Sequence, residues 1–545
     1  MMFYKGIFLG WGCSLISVLL IPLVHAQCTT GNAAQCSRAQ FIPGHNLGGE
    51  GFDVMTLQRK GAYVIDMESY LTQNQTCTLC KNSQLENQQQ KVPLNVQDWR
   101  VDVRCSLQVT STVHESSLSF ANSTSHKIEN DWHIGLDVKP FPGVSVGVVT
   151  AGSQSKLSEF AMQRAEKDKY SYSTQEVSCN VYRYRVHDFP KLSRTFSEQL
   201  KLLPNVYDST TQRRFRNLIA TYGTHYIKQV RLGGTVSEVT ALRSCEVTQD
   251  ELSTEEVKDC LGVEASLSIK AVSAESAVNK CRQLREQKLS NQKFSEKYMD
   301  RRSDISGGSL DSHVELLFPR DNQASPYEAW MMSLKGTPDV TSYSLATLHE
   351  LVPYGDSRKE LLRKAISDYV IEKSLMQTCA ACPNGASPDP QVKCNCVCPS
   401  SSLVTVGCCA KKRGLATMAV VVVEANGLKG DAAGNPPDPY VKVFYDGREY
   451  RTNWVKDNAN PRWNAVFSIG AVMLSPSKQL VLEAWDKDVT YDDRLGSCQV
   501  AADAAPGERP VTCYLKNGNF QFRYRIECGP HLTGSYCTDY QPARV

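Results

Sequence analysis

Two short segments near the C-terminal end of the chain are rich in aspartate. Their six aspartates are candidate metal ligands: Asp431, Asp438, Asp486, Asp488, Asp492 and Asp493. Carboxylates brought together from two loops repel one another unless a cation lies between them. Ca²⁺ is the hard cation that accepts six to eight oxygen ligands in adaptable geometry. The pattern leaves two interpretations, a calcium site or two separate solvated acidic turns.

The residues around these aspartates have the pattern of short strands. Residues 418–428, 439–445 and 478–485 are apolar or β-branched, and Asp446-Gly447 is a hairpin-turn signal. Short strands at regular spacing with polar turns predict an antiparallel β-sandwich. The aspartates then lie in its loops.

Two motifs in this region, Asp438-Pro-Tyr-Val-Lys442 and Asn460-Pro-Arg-Trp-Asn464, resemble those of a C2 domain. The resemblance covers residues 412–528 and implies that Ca²⁺ bridges loop carboxylates and lipid phosphate. It implies five ligands: Asp431, Asp438, Asp486, Asp488 and Asp493. Because the second loop is slightly short, Asp492 is an alternative to Asp493.

Two side chains between the predicted ligands are candidates for membrane contact, as the loop tips of such domains often enter lipid. They are Val489 and Tyr491. A rim or core position is an equally good interpretation of Tyr491.

Length and composition restrict the classes of protein. The chain has 545 residues, which favours more than one domain, and its formal net charge of +3 gives no electrostatic reason to bind nucleic acid. Its 21 cysteines favour an oxidising, secreted setting.

An apolar run at residues 7–24 follows Lys5 and ends before Ala26. A cleaved signal peptide over residues 1–26 is the favoured interpretation, and a membrane anchor is the alternative. Cleavage would remove Cys13 and leave an even number of cysteines.

A short segment at residues 379–411 is dense in cysteine. Six of its cysteines alternate with turn-forming residues: Cys379, Cys382, Cys394, Cys396, Cys398 and Cys408. Because so short a segment cannot bury an adequate core, disulfides must hold it. A zinc site is the alternative, but a secreted, oxidising setting disfavours it. The order resembles an EGF-like module, which implies the pairs Cys379–Cys394, Cys382–Cys396 and Cys398–Cys408. Cys409 then needs a distant partner, and Cys245 is the candidate by elimination.

Two segments of the long N-terminal region alternate apolar and polar residues. Within residues 132–148 the large apolar side chains fall mainly on even positions, and within residues 263–271 they fall on odd positions. Period two is the pattern of a strand with one wet and one dry face, although any half-buried strand shows it. Membrane barrel strands need about nine to eleven such residues.

A longer motif lies between these segments. It comprises Tyr222, Gly223, Thr224, His225 and Tyr226, followed by Gly233 and Gly234. Alone, His225 is more often structural than catalytic, and the glycine pair indicates a bend or a close backbone approach. The whole string resembles the signature of the membrane-attack-complex/perforin (MACPF) family. The resemblance implies an α+β fold over residues 27–378, with a bent antiparallel sheet like that of cholesterol-dependent cytolysins and with helical clusters.

The resemblance also implies a function. A secreted, calcium-dependent, cytolytic pore former of immune killing would bind the phospholipid of a target cell and assemble with itself into a ring. Two helical clusters per subunit, at residues 126–170 and 262–302, would unfurl into hairpins of a β-barrel, because a single hairpin cannot satisfy its backbone in lipid. Storage in cytolytic secretory granules beside effector proteases is implied in the same way. A non-lytic, calcium-dependent adhesion or lipid-binding protein is the alternative.

An enzyme is disfavoured. Gly143-Val-Ser-Val-Gly147 matches a hydrolase motif but lies inside the alternating segment, without the strand–turn–helix context that the motif requires. The basic cluster Arg213, Arg214 and Arg216 is interpreted as a solvated helix face, with a subunit contact as the alternative.

The remaining cysteines are assigned by resemblance, with a C-terminal tail at residues 529–545. The implied pairs are Cys28–Cys80, Cys36–Cys77, Cys105–Cys179, Cys498–Cys513 and Cys528–Cys537. Cys260 and Cys281 are left over, and a bridge between them would limit how far the second cluster can unfurl. Asn74 and Asn122 begin glycosylation motifs.

Overall fold

The computed structural model describes residues 28–542 except 107, 139–146, 310–314, 320–325, 377–381, 383–384, 391–394 and 431–435. The predicted signal peptide, the predicted ligand Asp431 and the predicted pair Cys379–Cys394 therefore lie outside the described residues.

The region before residue 377 mixes strands and helices. Its strands are β1 Cys28–Asn32, β2 Glu50–Asp53, β3 Gln58–Tyr63, β4 Thr76–Asn82, β5 Gln88–Val92, β6 Val96–Cys105, β7 Thr110–His114, β8 Gly147–Val148, β9 Tyr170–Val186, β10 His225–Arg243, β11 Arg301–Ser306, β12 Asp339–Thr347 and β13 Leu375–Met376. Its α-helices are α1 Ala33–Arg38, α2 Ser117–Ser123, α3 Lys156–Ala165, α4 Arg194–Lys201, α5 Gln212–Tyr222, α6 Ser244–Gln249, α7 Thr254–Ser268, α8 Glu275–Lys288, α9 Phe294–Lys297, α10 Tyr327–Ser333 and α11 Arg358–Lys373. Single 3-10 turns lie at Thr124–Lys127 and Leu348–Leu351.

The centre of this region is an antiparallel sheet built on two long strands, β9 and β10. Its order is β3-β2-β10-β9-β6, with β11 and β12 also paired to β10 and with β7 paired to β9. The buried residues of these strands join α4, α5 and α11 in one core. The expected α+β architecture is confirmed.

A register shift interrupts the long strands at the glycine pair of the signature. The β9–β10 ladder shifts between Leu232 and Gly233. A Cβ atom on Gly233 would lie 1.9 Å from the carbonyl oxygen of Cys179, so only glycine fits there. The glycine pair therefore permits the close backbone approach that the sequence predicts.

Two groups of helices flank the ends of β9 and β10. The first comprises α2, the 3-10 turn Thr124–Lys127 and α3, and the second comprises α6 to α9. Ser155 caps α3, and Ser253 with Glu256 forms a capping box on α7. The described helices begin before the predicted limits of 126 and 262, so each helical group is longer than the sequence indicates.

Helix α7 contains most of the second alternating segment. Val257, Leu261 and Ala265 are buried and recur every four residues, which is the spacing of one helix face. In the same helix Leu267 is 53% exposed. The sequence of α7 thus fits both a helical and a strand pattern. In this structure it forms a helix.

Residues 415–528 form two packed four-stranded sheets. The strands of the central segment and the sandwich are β14 Ser387–Pro388, β15 Cys396–Val397, β16 Leu415–Asn426, β17 Pro439–Tyr445, β18 Arg448–Arg451, β19 Arg462–Met473, β20 Gln479–Asp486, β21 Asp493–Ala501, β22 Arg509–Tyr514 and β23 Asn519–Cys528. The sheet orders are β19-β16-β23-β22 and β18-β17-β20-β21. Apolar residues of both inner faces make one core, as the β-sandwich prediction requires.

A short tail follows, with strands β24 Leu532–Thr533 and β25 Asp539–Tyr540. It contacts the N-terminal region: the hydroxyl of Tyr540 donates to Asp168, and the Gln249 amide donates to the carbonyl of His531 at 3.1 Å. Arg413 pairs with Asp250 at 3.0 Å. The tail and the start of the sandwich are therefore joined to the helices that flank the central sheet.

The described cysteines form disulfides that match the expected pairs. These are Cys28–Cys80, Cys36–Cys77, Cys105–Cys179, Cys245–Cys409, Cys260–Cys281, Cys382–Cys396, Cys398–Cys408, Cys498–Cys513 and Cys528–Cys537. The Cys245–Cys409 bond ties α6 to the end of the small module. None of the helices in the described ranges is both long and apolar enough to cross a bilayer.

Candidate functional site

The signature histidine lies in a buried hydrogen-bond chain. The backbone N–H of Val54 donates to Thr224 Oγ1 at 3.1 Å, and Thr224 Oγ1 lies 2.8 Å from His225 Nδ1. His225 Nε2 lies 3.0 Å from the carbonyl oxygen of Trp132. Because a carbonyl can only accept, Nε2 carries the proton and Nδ1 accepts from the threonine hydroxyl. The histidine therefore connects the central sheet to the start of the first alternating segment.

Burial keeps this imidazole neutral. Desolvation lowers the pKa of His225 to about 4, and burial also lowers the pKa of His349 to about 4. The described partners of His225 are the Thr224 hydroxyl and the Trp132 backbone carbonyl, and both Thr224 and His225 are fully buried. The arrangement is structural, as expected for a lone histidine.

The other signature residues support the same junction. Tyr222 and Tyr226 are buried, and the ring of Tyr222 packs edge-on against Phe196 at 4.9 Å. Gly223 has a φ of +79° and lies so close to Phe52 that a Cβ atom would meet its backbone at 2.3 Å. The signature thus locks α5, β2 and β10 together.

A cavity of about 640 Å³ lies between the first helical group and the central sheet. At its wall, His126 Nε2 lies 3.3 Å from the carboxylate of Glu176, which is on β9. The hydrogen bond to Glu176 raises the pKa of His126. Burial alone would raise the pKa of Glu176, but the hydrogen bond from His126 outweighs it and the pKa is lowered. The pair therefore fastens the first helical group to the sheet.

The aspartate loops meet at one end of the sandwich. The backbone N–H of Asp438 donates to Asp486 Oδ1 at 2.6 Å, and the N–H of Lys487 donates to the carbonyl of Asp438 at 3.0 Å. Asp486 is buried, whereas Asp438 and Asp488 are half-buried and Asp493 is exposed. The structure places the predicted loop residues at the same end of the sandwich, apart from Asp431, which is outside the described ranges.

A third loop contributes to this end of the sandwich. The N–H of Asp457 donates to Asp438 Oδ1 at 2.6 Å, so the loop between β18 and β19 lies beside the acidic cluster. The same loop exposes Trp454. Sequence reasoning did not select either residue, although Asp457 lies only three residues before the Asn460 motif.

Asp492 has a different environment from the other aspartates. Its Oδ2 accepts from the hydroxyl of Tyr440 at 2.7 Å, and its Oδ1 accepts from Lys487 Nζ at 2.7 Å. The hydrogen bond from Lys487 is the main cause that lowers the pKa of Asp492. These contacts give Asp492 a role in shaping the loop and favour Asp493 as the last predicted ligand.

The donor set fits a hard cation. Carboxylate oxygens, which are the type of ligand that Ca²⁺ takes, come from two loops at one end of the sandwich. Backbone hydrogen bonds hold these loops in place. Among the described residues, no three His, Cys, Asp or Glu side chains are already gathered at metal-binding distance. The fit therefore rests on the chemistry and placement of the aspartates.

The predicted membrane-contact residues are at the tip of the same loop. Val489 is fully exposed, and Tyr491 is 83% exposed. A core position for Tyr491 is therefore wrong in this state.

The remaining candidates lie on the surface. Asn74 is exposed in a turn, and exposed Asn122 lies in α2, where its Oδ1 accepts from Thr150 at 3.1 Å. Arg213 and Arg214 are exposed on α5, whereas Arg216 pairs with Glu372 at 2.6 Å. Glycosylation and a subunit contact of the arginines remain predictions.

Comparisons with known proteins agree with this architecture. The MAC/Perforin domain model matches residues 43–378, and the C2 domain model matches residues 416–515. The chain therefore belongs to the MAC/Perforin family, and it has a C-terminal C2 domain.

Individual relatives cover almost the whole chain. Perforin-1 of Homo sapiens is 39% identical over 522 residues, which span 94% of this chain and 93% of that protein. Perforin-1 of Mus musculus is 38% identical over 534 residues, which span 96% and 95% of the two chains. A solved C2 domain is 29% identical and covers 21% of this chain and 98% of its own, with a TM-score of 0.19.

Proposed function

We propose that this protein is a secreted, calcium-dependent pore former that lyses cells. Its relatives are perforins, and it combines the MAC/Perforin and C2 domains of that group. The single observation that carries the mechanism is that residues with a strand pattern are folded in helix α7, which packs on β7 and β9 of the central sheet. A segment that satisfies both patterns can change from one to the other when its surroundings change.

The first step is attachment to a phospholipid surface. Ca²⁺ would be held by Asp431, Asp438, Asp486, Asp488 and Asp493, and it would supply a positive charge that binds lipid phosphate. Asp457 extends this ligand set, because its backbone already contacts Asp438. Val489 and Tyr491, joined by Trp454 from the neighbouring loop, would then enter the lipid surface.

The second step is assembly and insertion. Attached subunits would associate into a ring, and the two helical groups would leave the sheet and extend β7, β9, β10 and β11 as hairpins. A ring supplies the neighbouring strands that a hairpin needs in lipid, since every backbone group there must be paired. The result would be a transmembrane β-barrel pore.

The proposal assigns no enzymatic role to the chain. His225 is neutral and enclosed, and Ser145 of the hydrolase-like motif lies outside the described residues. Processing at residue 26 and domain limits of 27–378, 379–411 and 412–528 are part of the proposal. The proposal also includes granule storage and delivery with effector proteases. These two features rest on family resemblance alone.

Dye release tests the function. Liposomes that contain anionic and zwitterionic phospholipid and a self-quenched dye are mixed with the full mature chain, with Ca²⁺ or with a chelator. We expect release with Ca²⁺ only. Calcium-dependent binding without release would instead support the non-lytic alternative, and release in chelator would contradict the calcium dependence.

A further inference from the structure

The second helical group contains a disulfide that any unfurling must accommodate. Cys260 lies in α7 and Cys281 in α8; both side chains are buried, and their Cα atoms are 5.4 Å apart. The sequence alone suggests that this bond limits the unfurling. The observed sheet register leads to a different conclusion.

The ladder between β10 and β11 is regular up to the point where the second helical group begins. Its six pairs run from Thr235–Ser306 to Thr240–Arg301 without a shift, and the two residue numbers add up to 541 in every pair. An antiparallel ladder without a bulge keeps this total constant along its whole length. Cys260 and Cys281 also total 541, so continuing the ladder places them directly opposite each other.

We infer that the Cys260–Cys281 disulfide stays intact in the inserted hairpin, where it joins directly opposite residues and fixes the strand register. This inference rests on the proposed function. The Cα separation of 5.4 Å in the helical state lies within the range of about 4.5–5.5 Å for opposite residues in an antiparallel pair. The same bond is therefore compatible with both states.

The side-chain pattern supports this register independently of the cysteines. Directly opposite residues point to the same face of a sheet. In the continued ladder Val263, Ala265, Leu267 and Ile269 lie opposite Val278, Ser276, Ala274 and Val272. One face is then apolar or small from Val263 to Ile269 apart from Ser276, and Lys280, opposite Leu261, lies on the same face next to the disulfide, at the base of the hairpin. A slip by one residue would mix the two faces.

The other face carries the polar residues and the disulfide. Glu264, Ser266 and Ser268 lie opposite Ala277, Glu275 and Ser273, and Cys260–Cys281 lies on this face. The disulfide therefore faces the lumen. The turn falls at Lys270–Ala271, about ten residues beyond the cysteines, which is the length of a membrane-spanning strand.

Two further ladders give the same depth for the first hairpin. The β9–β10 ladder runs without a shift from Gly233–Asn180 to Arg243–Tyr170. If it is extended in the same register, Lys270 lies opposite Gly143. The β7–β9 pairs, from Thr110–Glu176 to His114–Tyr172, also continue to a turn at Gly143. Gly143 lies outside the described residues, but Pro142-Gly143 is a turn signal in the sequence. Both hairpins then end at the same level, as insertion into one bilayer requires.

The disulfide has a physical advantage as a register device. It closes the 20-residue loop between the cysteines before the strands form, which removes much of the chain entropy that pairing would otherwise lose. It also excludes every slipped pairing of the membrane-spanning part. Cys260 and Cys281 are thus positioning residues for insertion.

The state of the disulfide in the pore tests the inference. Wild-type protein is added to dye-loaded liposomes with Ca²⁺, free thiols are blocked with N-ethylmaleimide, and the recovered oligomers are digested without reduction for mass spectrometry. We expect dye release together with intact, cross-linked peptides from Cys260 and Cys281. Blocked thiols at both positions in oligomers from leaking liposomes would overturn the inference and leave the proposed function standing. Failure to release dye would contradict the proposed function and this inference with it.

A second experiment tests the register itself. With the native Cys260–Cys281 disulfide retained, Ser266→Cys is combined with Glu275→Cys, which the ladder places opposite, or with Ser273→Cys as a matched control displaced by two residues, and cross-linked peptides are identified by mass spectrometry. Opposite Cβ atoms are about 4.5–5.5 Å apart and displaced ones about 7–8 Å. For each pair, the cross-linked fraction after mild oxidation of liposome-bound oligomers is divided by the fraction in the soluble protein. We expect this ratio to be several-fold higher for the first pair than for the control. Equal or preferential cross-linking of the control would overturn the inference.

Discussion

The Nε2 nitrogen of His225 lies 3.0 Å from the carbonyl oxygen of Trp132, inside the core of the N-terminal region. This hydrogen bond explains why a histidine in the family signature need not be catalytic. It anchors the residue at which the first alternating segment starts, and its other ring nitrogen is held by the neighbouring Thr224. The signature is therefore a junction between the central sheet and the segment that moves in the proposed mechanism.

Replacing this histidine should weaken the fold. His225→Phe keeps a ring but removes the hydrogen bond to the buried Trp132 carbonyl and the acceptor of the Thr224 hydroxyl, which costs about 1–3 kcal/mol. We expect the free energy of unfolding in urea to fall by that amount. His187→Gln, at a half-buried position just after the end of β9, is the control and should change it by no more than about 0.5 kcal/mol. Equal effects of both variants would contradict the anchoring role.

The same histidine should make stability fall in acid. Its folded pKa of about 4 is below the unfolded value of 6.5, so the unfolded state binds more protons between these values. The stabilising contribution is complete above pH 6.5 and is lost as pH falls toward 4. His349 behaves in the same direction, because its pKa is also about 4. Urea unfolding at pH 7.4 and 5.0 should show a smaller loss for His225→Phe than for the wild type, and identical losses would contradict this assignment.

The His126–Glu176 pair should have the opposite dependence near neutrality. The ion pair raises the pKa of His126, so its contribution is complete below pH 6.5 and is lost as pH rises through the raised value. The pKa of Glu176 is lowered, so the carboxylate stays charged over this range. We expect faster hydrogen exchange in α2 and α3 at pH 8 than at pH 6, after correction for intrinsic rates. His126→Gln should remove the difference, and its persistence in that variant would exclude the pair as the cause.

The calcium ligands can be tested against a matched aspartate. Asp438→Asn with Asp488→Asn removes two charges from the acidic loops, so calcium-dependent liposome binding should weaken by about tenfold or more, which is at least ~1.4 kcal/mol. Asp446→Asn is the control, because Asp446 lies at the opposite end of β17 and pairs with Lys478 at 2.8 Å. Unchanged binding by the double variant in a sedimentation assay would refute the ligand assignment.

The exposed loop tip should contribute to lipid affinity. Val489→Ala with Tyr491→Ala removes apolar surface whose burial in lipid is worth about 1.5–3 kcal/mol for each side chain. We expect weaker liposome binding at saturating Ca²⁺ with unchanged thermal unfolding. Val466→Ala with Tyr354→Ala, at other exposed positions, is the control and should bind like the wild type. The loop has no membrane role if the two double variants bind alike.

The sequence was more informative for the sandwich than for the N-terminal region. Strand β17 has the predicted limits because its side chains from Val441 onward alternate between buried and half-buried positions, and the Asp446-Gly447 turn fixes its end. The contact of Asp457 with Asp438 was not predictable, because it joins two loops far apart in the sequence. In α7, the four-residue spacing of Val257, Leu261 and Ala265 competes with a strand pattern, and tertiary packing decides between them. The register that places Cys260 opposite Cys281 required the observed ladder.

Electron microscopy of the protein on liposomes, with and without Ca²⁺, tests the central claim most directly. The account predicts closed rings that perforate the membrane when Ca²⁺ is present and bare liposomes when it is chelated. Membrane-bound protein that forms no rings in Ca²⁺, or rings that form equally in chelator, would contradict it.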